Sequence, residues 1–126
     1  MKDLENREDI KELVNSFYNA LQTENKELNA LFNDVAKVDW ESHLPKMYDF
    51  WETIIFHKAV YKGNPMKVHM HLDTLQKLEK KNFDAWLVLF KRTVDELFQG
   101  EKAELAKMRA ASVASSIQLN TVYKNL

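Results

Sequence analysis

The sequence predicts an all-α domain, because residues that interrupt helices are rare in it and apolar residues recur at helical spacing. Only two glycines and two prolines occur among the 126 residues. Glycine and proline are the strongest local breakers of regular structure, so long helices should dominate. A chain of 126 residues can bury one hydrophobic core but not two, which predicts a single domain over residues 1–126.

Apolar residues three and four positions apart mark four long helices. The first stripe comprises Ile10, Leu13, Val14, Phe17 and Leu21, with Tyr18 at its edge. The second comprises Trp40, His43, Met47, Phe50, Trp51, Ile54 and Ile55. The third comprises Phe83, Trp86, Leu87, Phe90, Val94, Leu97 and Phe98. The fourth comprises Ala103, Ala106, Ala110, Val113, Ala114 and Ile117, and its small residues allow close helix contact.

Glycine and proline positions predict where the third helix ends and where a short helix begins. Gly100 follows the third stripe, and we interpret it as the C-terminal cap of that helix. The run from Lys58 to Pro65 is predicted to be a loop. Pro65 suits the first turn of a short helix that carries His69, because the fixed φ of proline fits that turn.

Pro45 leaves the start of the second helix open. A proline is tolerated in the first turn of a helix and kinks or breaks a helix interior. Pro45 therefore marks either the first turn of a helix that begins near Ser42 or a kink in one that begins at Asp39. The spacing does not decide between the two.

The composition excludes several classes of partner and site. The formal net charge is −1, which provides no electrostatic footprint for nucleic acid or an anionic membrane. The chain has no cysteine, which excludes disulfides and zinc–thiolate sites. No stretch approaches the roughly 18 consecutive apolar residues of a membrane-spanning helix, and the first residues form no apolar leader. We therefore expect a cytoplasmic protein without a membrane partner.

Four side chains that can do chemistry lie on or beside these helices. His43 lies within the second stripe, and His69 follows Pro65 on the short helix, whereas Tyr18 and Trp86 belong to the first and third stripes. Each residue taken alone is better explained as core, because buried polar groups normally find partners and aromatic residues at helical spacing usually pack. Together they supply two imidazoles, a phenol and an indole that could converge on a flat cofactor.

His69 competes with His71 for the role of a ligand. Two positions along a helix of about 3.6 residues per turn separate side chains by about 200°, so only one histidine can face a cofactor. His69 shares a face with Met66, and His71 shares a face with Val68. Both faces are apolar, so the periodicity does not choose between the histidines.

The sequence resembles the truncated haemoglobins, specifically their third group, across nearly its whole length. The resemblance rests on Phe17-Tyr18, on DWESHLPKMYDFW at 39–51, on YKGNPMKVH at 61–69 and on Trp86-Leu87. The paired glycine motifs that other truncated groups carry between helices are absent. The absence of cysteine also excludes covalent attachment of haem through a Cys-x-x-Cys-His element.

The resemblance implies a shortened globin fold, a two-over-two helical sandwich around a non-covalent haem b. The family places its iron ligand a few residues after a Gly-x-Pro turn. This implies that His69 is the proximal metal ligand. We expect His57 and His71 to be surface or rim residues. The resemblance also implies that His43, Tyr18 and Trp86 lie on the distal side of the haem, where a ligand would bind.

These residue types suit the binding of a diatomic ligand. Haem iron held by one neutral imidazole keeps its opposite face open. A dioxygen ligand takes on partial negative charge, which hydrogen-bond donors stabilise in a low-dielectric pocket. Tyr18 and Trp86 are such donors, since an indole can only donate. His43 adds a donor or an acceptor according to its tautomer, and whether it gates the pocket, hydrogen-bonds or ligates the iron stays open.

The remaining candidates would hold the porphyrin itself. Apolar side chains should clamp the ring and exclude water. Those expected are Phe32, Met47, Phe50, Trp51, Leu87 and Phe90. Lys46, one helical turn beyond His43, is a candidate partner for a haem propionate, although a solvated lysine is the simpler interpretation.

The function we expect is reversible binding of O₂ and related diatomic ligands, in oxygen binding or in the handling of reactive oxygen and nitrogen species. One alternative is a peroxidase-like or nitric-oxide-oxidising enzyme, and another is a cofactor-free helical interaction module. The sequence carries no flavin or nicotinamide motif, so an enzyme would depend on a separate reductase. We expect a monomer.

Overall fold

A computed structural model describes residues 1–124 of the chain. Within these residues there are six α-helices, one π-helical turn and no strand. The elements are α1 (Arg7–Glu24), α2 (Lys26–Ala30), the π-helical turn (Leu31–Val35), α3 (Trp40–Phe56), α4 (Pro65–Leu75), α5 (Lys80–Leu97) and α6 (Glu101–Leu119). None of these helices is long and apolar enough to cross a membrane.

The four long helices form two layers. Helix α1 packs on α3, α5 packs on α6, and contacts of α1 with α5 and of α3 with α6 join the two pairs. The first predicted stripe is the buried face of α1: Ile10, Leu13 and Leu21 are fully buried, and Phe17 is nearly so. The two-over-two arrangement of the predicted fold class is confirmed.

Helix α3 begins before Pro45 rather than near it. The Asp39 side chain caps the helix by accepting a hydrogen bond from the Glu41 N–H at 3.2 Å, and Trp40 is the first helical residue. Pro45 lies inside the helix. It has no N–H to donate to the Glu41 carbonyl one turn earlier. Of the two alternatives left open by the sequence, a start near Ser42 is wrong.

The loop after α3 and the start of α4 have the predicted form. Helix α3 ends at Phe56, and the exposed His57 that follows adopts the left-handed conformation, with φ +58°. Asn64 caps α4 by accepting from the Lys67 N–H at 3.1 Å. Pro65 is the first residue of α4, where its missing N–H has no intrahelical partner to lose.

The prediction that Gly100 caps the end of the third long helix is wrong. Helix α5 ends at Leu97, and Gly100 instead precedes the first turn of α6 with φ +146°. The Asp3 carboxylate occupies the space beside it and accepts from the N–H groups of Lys102 and Ala103, both at 2.8 Å. A Cβ atom at position 100 would lie 2.5 Å from Asp3 Cγ. Glycine is therefore required because the N-terminal segment caps α6 from outside.

Candidate functional site

A cavity of about 280 Å³ lies where α1, α3, α4, α5 and α6 meet. Its wall is mostly apolar and includes nine of the eleven residues predicted to bind or face a haem. These nine are Tyr18, Phe32, His43, Lys46, Met47, Phe50, Trp51, His69 and Trp86. The sequence positions of these residues range from 18 to 86, so the fold brings together side chains that are distant along the chain.

His69 lies on α4 with one ring nitrogen bound to its own helix. Its Nδ1 is 2.6 Å from the Pro65 carbonyl oxygen. A carbonyl only accepts, so Nδ1 carries the proton and the Nε2 lone pair is left free for a metal. Burial lowers the pKa of His69, and the bond to the Pro65 carbonyl only partly opposes that effect. The neutral form required of an iron ligand is therefore favoured.

The structure distinguishes His69 from His71, which the periodicity of the sequence does not. His69 lines the cavity, whereas His71 and His57 are exposed and lie outside its wall. The expectation that His71 and His57 are surface residues is confirmed.

Tyr18 and His43 lie together on the wall of the same cavity. The Tyr18 hydroxyl oxygen is 3.4 Å from His43 Nε2, and the two rings meet edge to face. Burial raises the pKa of the Tyr18 phenol, so it keeps its proton at neutral pH. Burial lowers the pKa of His43, and the nearby positive charge of Lys46 lowers it further, so its imidazole is neutral as well.

Trp86 presents its indole to the cavity from α5. Its ring stacks on Phe90 at 5.5 Å and meets Phe17 edge to face. Within residues 1–124 the Trp86 N–H makes no hydrogen bond, yet no buried side-chain polar atom of this part lacks a partner. The indole N–H is therefore accessible rather than trapped, and Trp86 lines the cavity.

Phe90 is one of two predicted site residues that do not line the cavity. It is fully buried behind the wall, stacked on Trp51 at 4.7 Å and on Trp86 at 5.5 Å. Leu87, which was also expected among the apolar residues around the porphyrin, is half-buried outside the cavity wall. Phe90 supports the two tryptophans that face the cavity instead of facing it itself.

Tyr61 lines the cavity, although the sequence predicts no role for it beyond its place in the segment 61–69. It lies in the loop before α4, where its backbone N–H donates to Thr53 Oγ1 at 3.1 Å. Its ring packs edge to face on Phe50 with ring centroids 5.2 Å apart. A loop residue has no periodicity to reveal its direction, and the only signal was its place two residues before the Gly63-Asn64-Pro65 turn.

The residues present fit a haem better than a bare metal ion. No group of three or more histidine, cysteine, aspartate or glutamate side chains that could hold an ion occurs within residues 1–124. A single imidazole with a free Nε2 suits an iron whose other ligands come from a porphyrin. The aromatic and aliphatic wall suits the apolar faces of that ring, and the exposed Lys46 suits its carboxylates.

The fold and the site thus define a truncated globin, and comparison with known proteins gives the same class. The chain belongs to the bacterial-like globin family, whose model matches residues 3–118. A group 3 truncated haemoglobin from Campylobacter jejuni is 29% identical over 122 residues, which cover 94% of this chain and 92% of that protein. The crystal structure of a group III truncated haemoglobin from Campylobacter jejuni matches with a TM-score of 0.80 at 29% identity, covering 94% of this chain and 93% of that one.

These findings confirm the family that the sequence resembles. The chain is a haem-binding truncated globin, and the family to which it belongs binds diatomic ligands.

Proposed function

We propose that the protein holds a non-covalent haem b through His69 Nε2 and binds O₂ reversibly in the cavity. The observation that carries the proposal is the placing of a neutral imidazole, a phenol and an indole on one apolar cavity. Haem supplies an iron centre that holds a diatomic ligand. The chain's own residues determine how the haem is held and how a ligand beside it is stabilised.

The proposed haem contacts divide by chemistry. Phe32, Met47, Phe50 and Trp51 pack against the porphyrin and exclude water from it. Lys46, which is exposed at the edge of the cavity, pairs with a propionate. Because such a pair is exposed to solvent, it contributes at most about 1 kcal/mol and mainly orients the haem.

Tyr18 and Trp86 are the proposed donors to a dioxygen ligand. Both line the cavity, the phenol stays protonated because burial raises its pKa, and an indole N–H cannot act as an acceptor. A donor stabilises a ligand that carries partial negative charge and has little effect on a neutral one. The pair therefore favours O₂ over CO. His43 contacts Tyr18 and orients its hydroxyl.

The physiological role we infer is oxygen binding or the handling of reactive oxygen and nitrogen species, since the similar protein of Campylobacter jejuni is a group 3 truncated haemoglobin. The test is a spectrophotometric titration of the purified chain with haemin, followed by reduction and equilibration with O₂. We expect one haem per chain and a reversible oxygenated spectrum. A reduced protein that oxidises at once, without a reversible oxygenated form, would contradict the proposal.

A further inference from the structure

A hydrogen-bonded network holds Trp40 in place. Trp40 is neither one of the proposed haem contacts nor one of the proposed donors. The indole Nε1–H of Trp40 donates to Asn33 Oδ1 at 2.7 Å. Asn33 lies in the π-helical turn, and its amide Nδ2 donates to Asn29 Oδ1 at 2.6 Å and to Gln22 Oε1 at 3.2 Å. Three separate elements, α1, α2 and the π-helical turn, thus meet at one asparagine that binds the first residue of α3.

The direction of the Asn33 amide is fixed by its partners. An indole can only donate, so Asn33 must present its oxygen to Trp40. Its NH₂ group then points to the side-chain oxygens of Asn29 and Gln22, and both can accept. Only asparagine among the common residues of this size supplies an acceptor on one side and two donors on the other.

Trp40 in turn packs against His43 and Tyr18. Its ring meets that of His43 at 89° with centroids 5.5 Å apart, and that of Tyr18 at 58° and 5.2 Å. Phe32, the residue before Asn33, stacks on Trp40 at 5.9 Å and meets His43 edge to face at 6.4 Å. The π-helical turn therefore holds the indole twice, through a stacked ring and through a hydrogen bond.

We propose that Asn33 is a positioning residue that fixes His43 on the cavity wall, acting through Trp40. His43 is only half-buried and makes one long side-chain hydrogen bond, to Tyr18, so its own hydrogen bonding does not fix the ring. The indole backs the ring on one side and is itself fixed by Asn33. The proposal rests on the proposed function, because it concerns access of a ligand to the cavity beside His43.

The test measures CO association and the C–O stretching band of the haem-loaded protein with Asn33→Leu, Trp40→Phe and both changes together. Loss of one neutral hydrogen bond shifts a two-state equilibrium about fivefold. We expect Asn33→Leu to speed CO association by about that factor and to add a second C–O band from a second orientation of His43. Trp40→Phe keeps an aromatic ring but loses the donor, so it should reproduce both effects.

The double variant separates positioning from general damage. If Asn33 acts through Trp40, adding Asn33→Leu to Trp40→Phe should change neither the band nor the rate further. Asn29→Ala is the matched control, because it removes an outer partner and leaves the bond between Asn33 and Trp40; its band should match that of the parent. Thermal midpoints identify variants that merely unfold more easily, since lower stability alone does not split the C–O band.

A single unchanged band in both Asn33→Leu and Trp40→Phe would overturn the proposal, as would equal effects of Asn33→Leu in the parent and in Trp40→Phe. If Asn33→Leu fails to retain haem, Trp40→Phe decides alone, and an unchanged band in it overturns the proposal. These outcomes are distinct from failure of the proposed function. Failure of the proposed function would appear as unchanged O₂ release from variants of Tyr18 and Trp86. The variants of Asn33 and Trp40 leave both of those residues unchanged.

Discussion

The Tyr18 hydroxyl oxygen lies 3.4 Å from His43 Nε2, and the direction of this hydrogen bond determines what Tyr18 can do for a ligand. A phenol has one proton to donate. If Tyr18 gives that proton to His43, none is left for a ligand in the cavity. If Nε2 of the neutral His43 carries the proton and donates to the phenol oxygen, the Tyr18 O–H is free to point at a ligand.

We therefore expect His43→Leu to change O₂ dissociation less than Tyr18→Phe does. A contact of 3.4 Å is long for a hydrogen bond and contributes about 0.5–1 kcal/mol, which corresponds to a change of about two- to fivefold. Stopped-flow O₂ dissociation measures this effect, with the exposed His71→Leu as a control that should match the parent. A larger effect for His43→Leu than for Tyr18→Phe would mean that His43 is the principal donor.

Removal of haem should lower the stability of the fold substantially. A ligand that binds only the folded chain stabilises it by about 4 kcal/mol at a thousandfold excess over its dissociation constant. For a chain of this length that corresponds to a rise in Tm of roughly 12–20 °C. Calorimetry of the haem-free and haem-loaded forms at equal concentration measures the difference. Equal midpoints would contradict the assignment of the cavity as a haem pocket.

Gly100→Ala should destabilise the fold although residue 100 is far from the cavity along the chain. The φ of +146° is open only to glycine, and a Cβ atom there would collide with Asp3 Cγ. Backbone strain of this kind costs about 1–3 kcal/mol, which urea denaturation can measure. Ser115→Ala, an exposed change on α6, is the control and should stay within about 0.5 kcal/mol of the parent. A neutral Gly100→Ala would contradict the close approach of Asp3.

The contribution of Asp3 to stability should depend on pH. Burial opposes ionisation of Asp3, but hydrogen bonds from the N–H groups of Lys102, Ala103 and Leu4 hold its pKa below the ordinary value of 3.8. A carboxyl group whose pKa is lower in the folded state stabilises the fold above the unfolded pKa, and this contribution is lost as pH falls through the folded pKa. We expect Asp3→Ala to cost about 1–2 kcal/mol at pH 7.

Urea midpoints of the parent and of Asp3→Ala between pH 7 and strong acid test this dependence. The difference between the two proteins should be constant down to about pH 5 and shrink below 3.8. Other carboxyl groups titrate in both proteins, so the difference isolates Asp3. A difference that grows on acidification would show that the Asp3 carboxylate does not cap α6.

The sequence predicts the buried faces of helices well, but it predicts the residues that join helices poorly. The buried face of α1 follows directly from the spacing of Ile10 to Leu21, because burial selects one face of a regular helix. The prediction for Gly100 is wrong because its neighbour Asp3 is almost one hundred residues away in sequence, and no local pattern signals so distant a cap.

The candidate site divides in the same way. Periodicity placed His43 and Trp86 on helix faces but could not choose between His69 and His71, because both faces of α4 carry apolar residues. The choice came from the family resemblance. Asn33 had no signal at all, because the π-helical turn departs from the 3.6-residue period and its partner Trp40 is reached only through tertiary contact.

The most direct test of the central claim, that Tyr18 and Trp86 donate to a dioxygen ligand, is the rate of O₂ dissociation from Tyr18→Phe, Trp86→Phe and the double variant. A hydrogen bond to a partly charged acceptor contributes roughly 1.5–3 kcal/mol, so loss of one should speed O₂ release about ten- to a hundredfold. In a single variant the remaining donor can move closer to the ligand and compensate for the lost hydrogen bond. The double variant is therefore the decisive measurement. We predict a large effect on O₂ with little change in CO dissociation. O₂ release that is indifferent to both changes together would contradict the account and leave both residues as ordinary core.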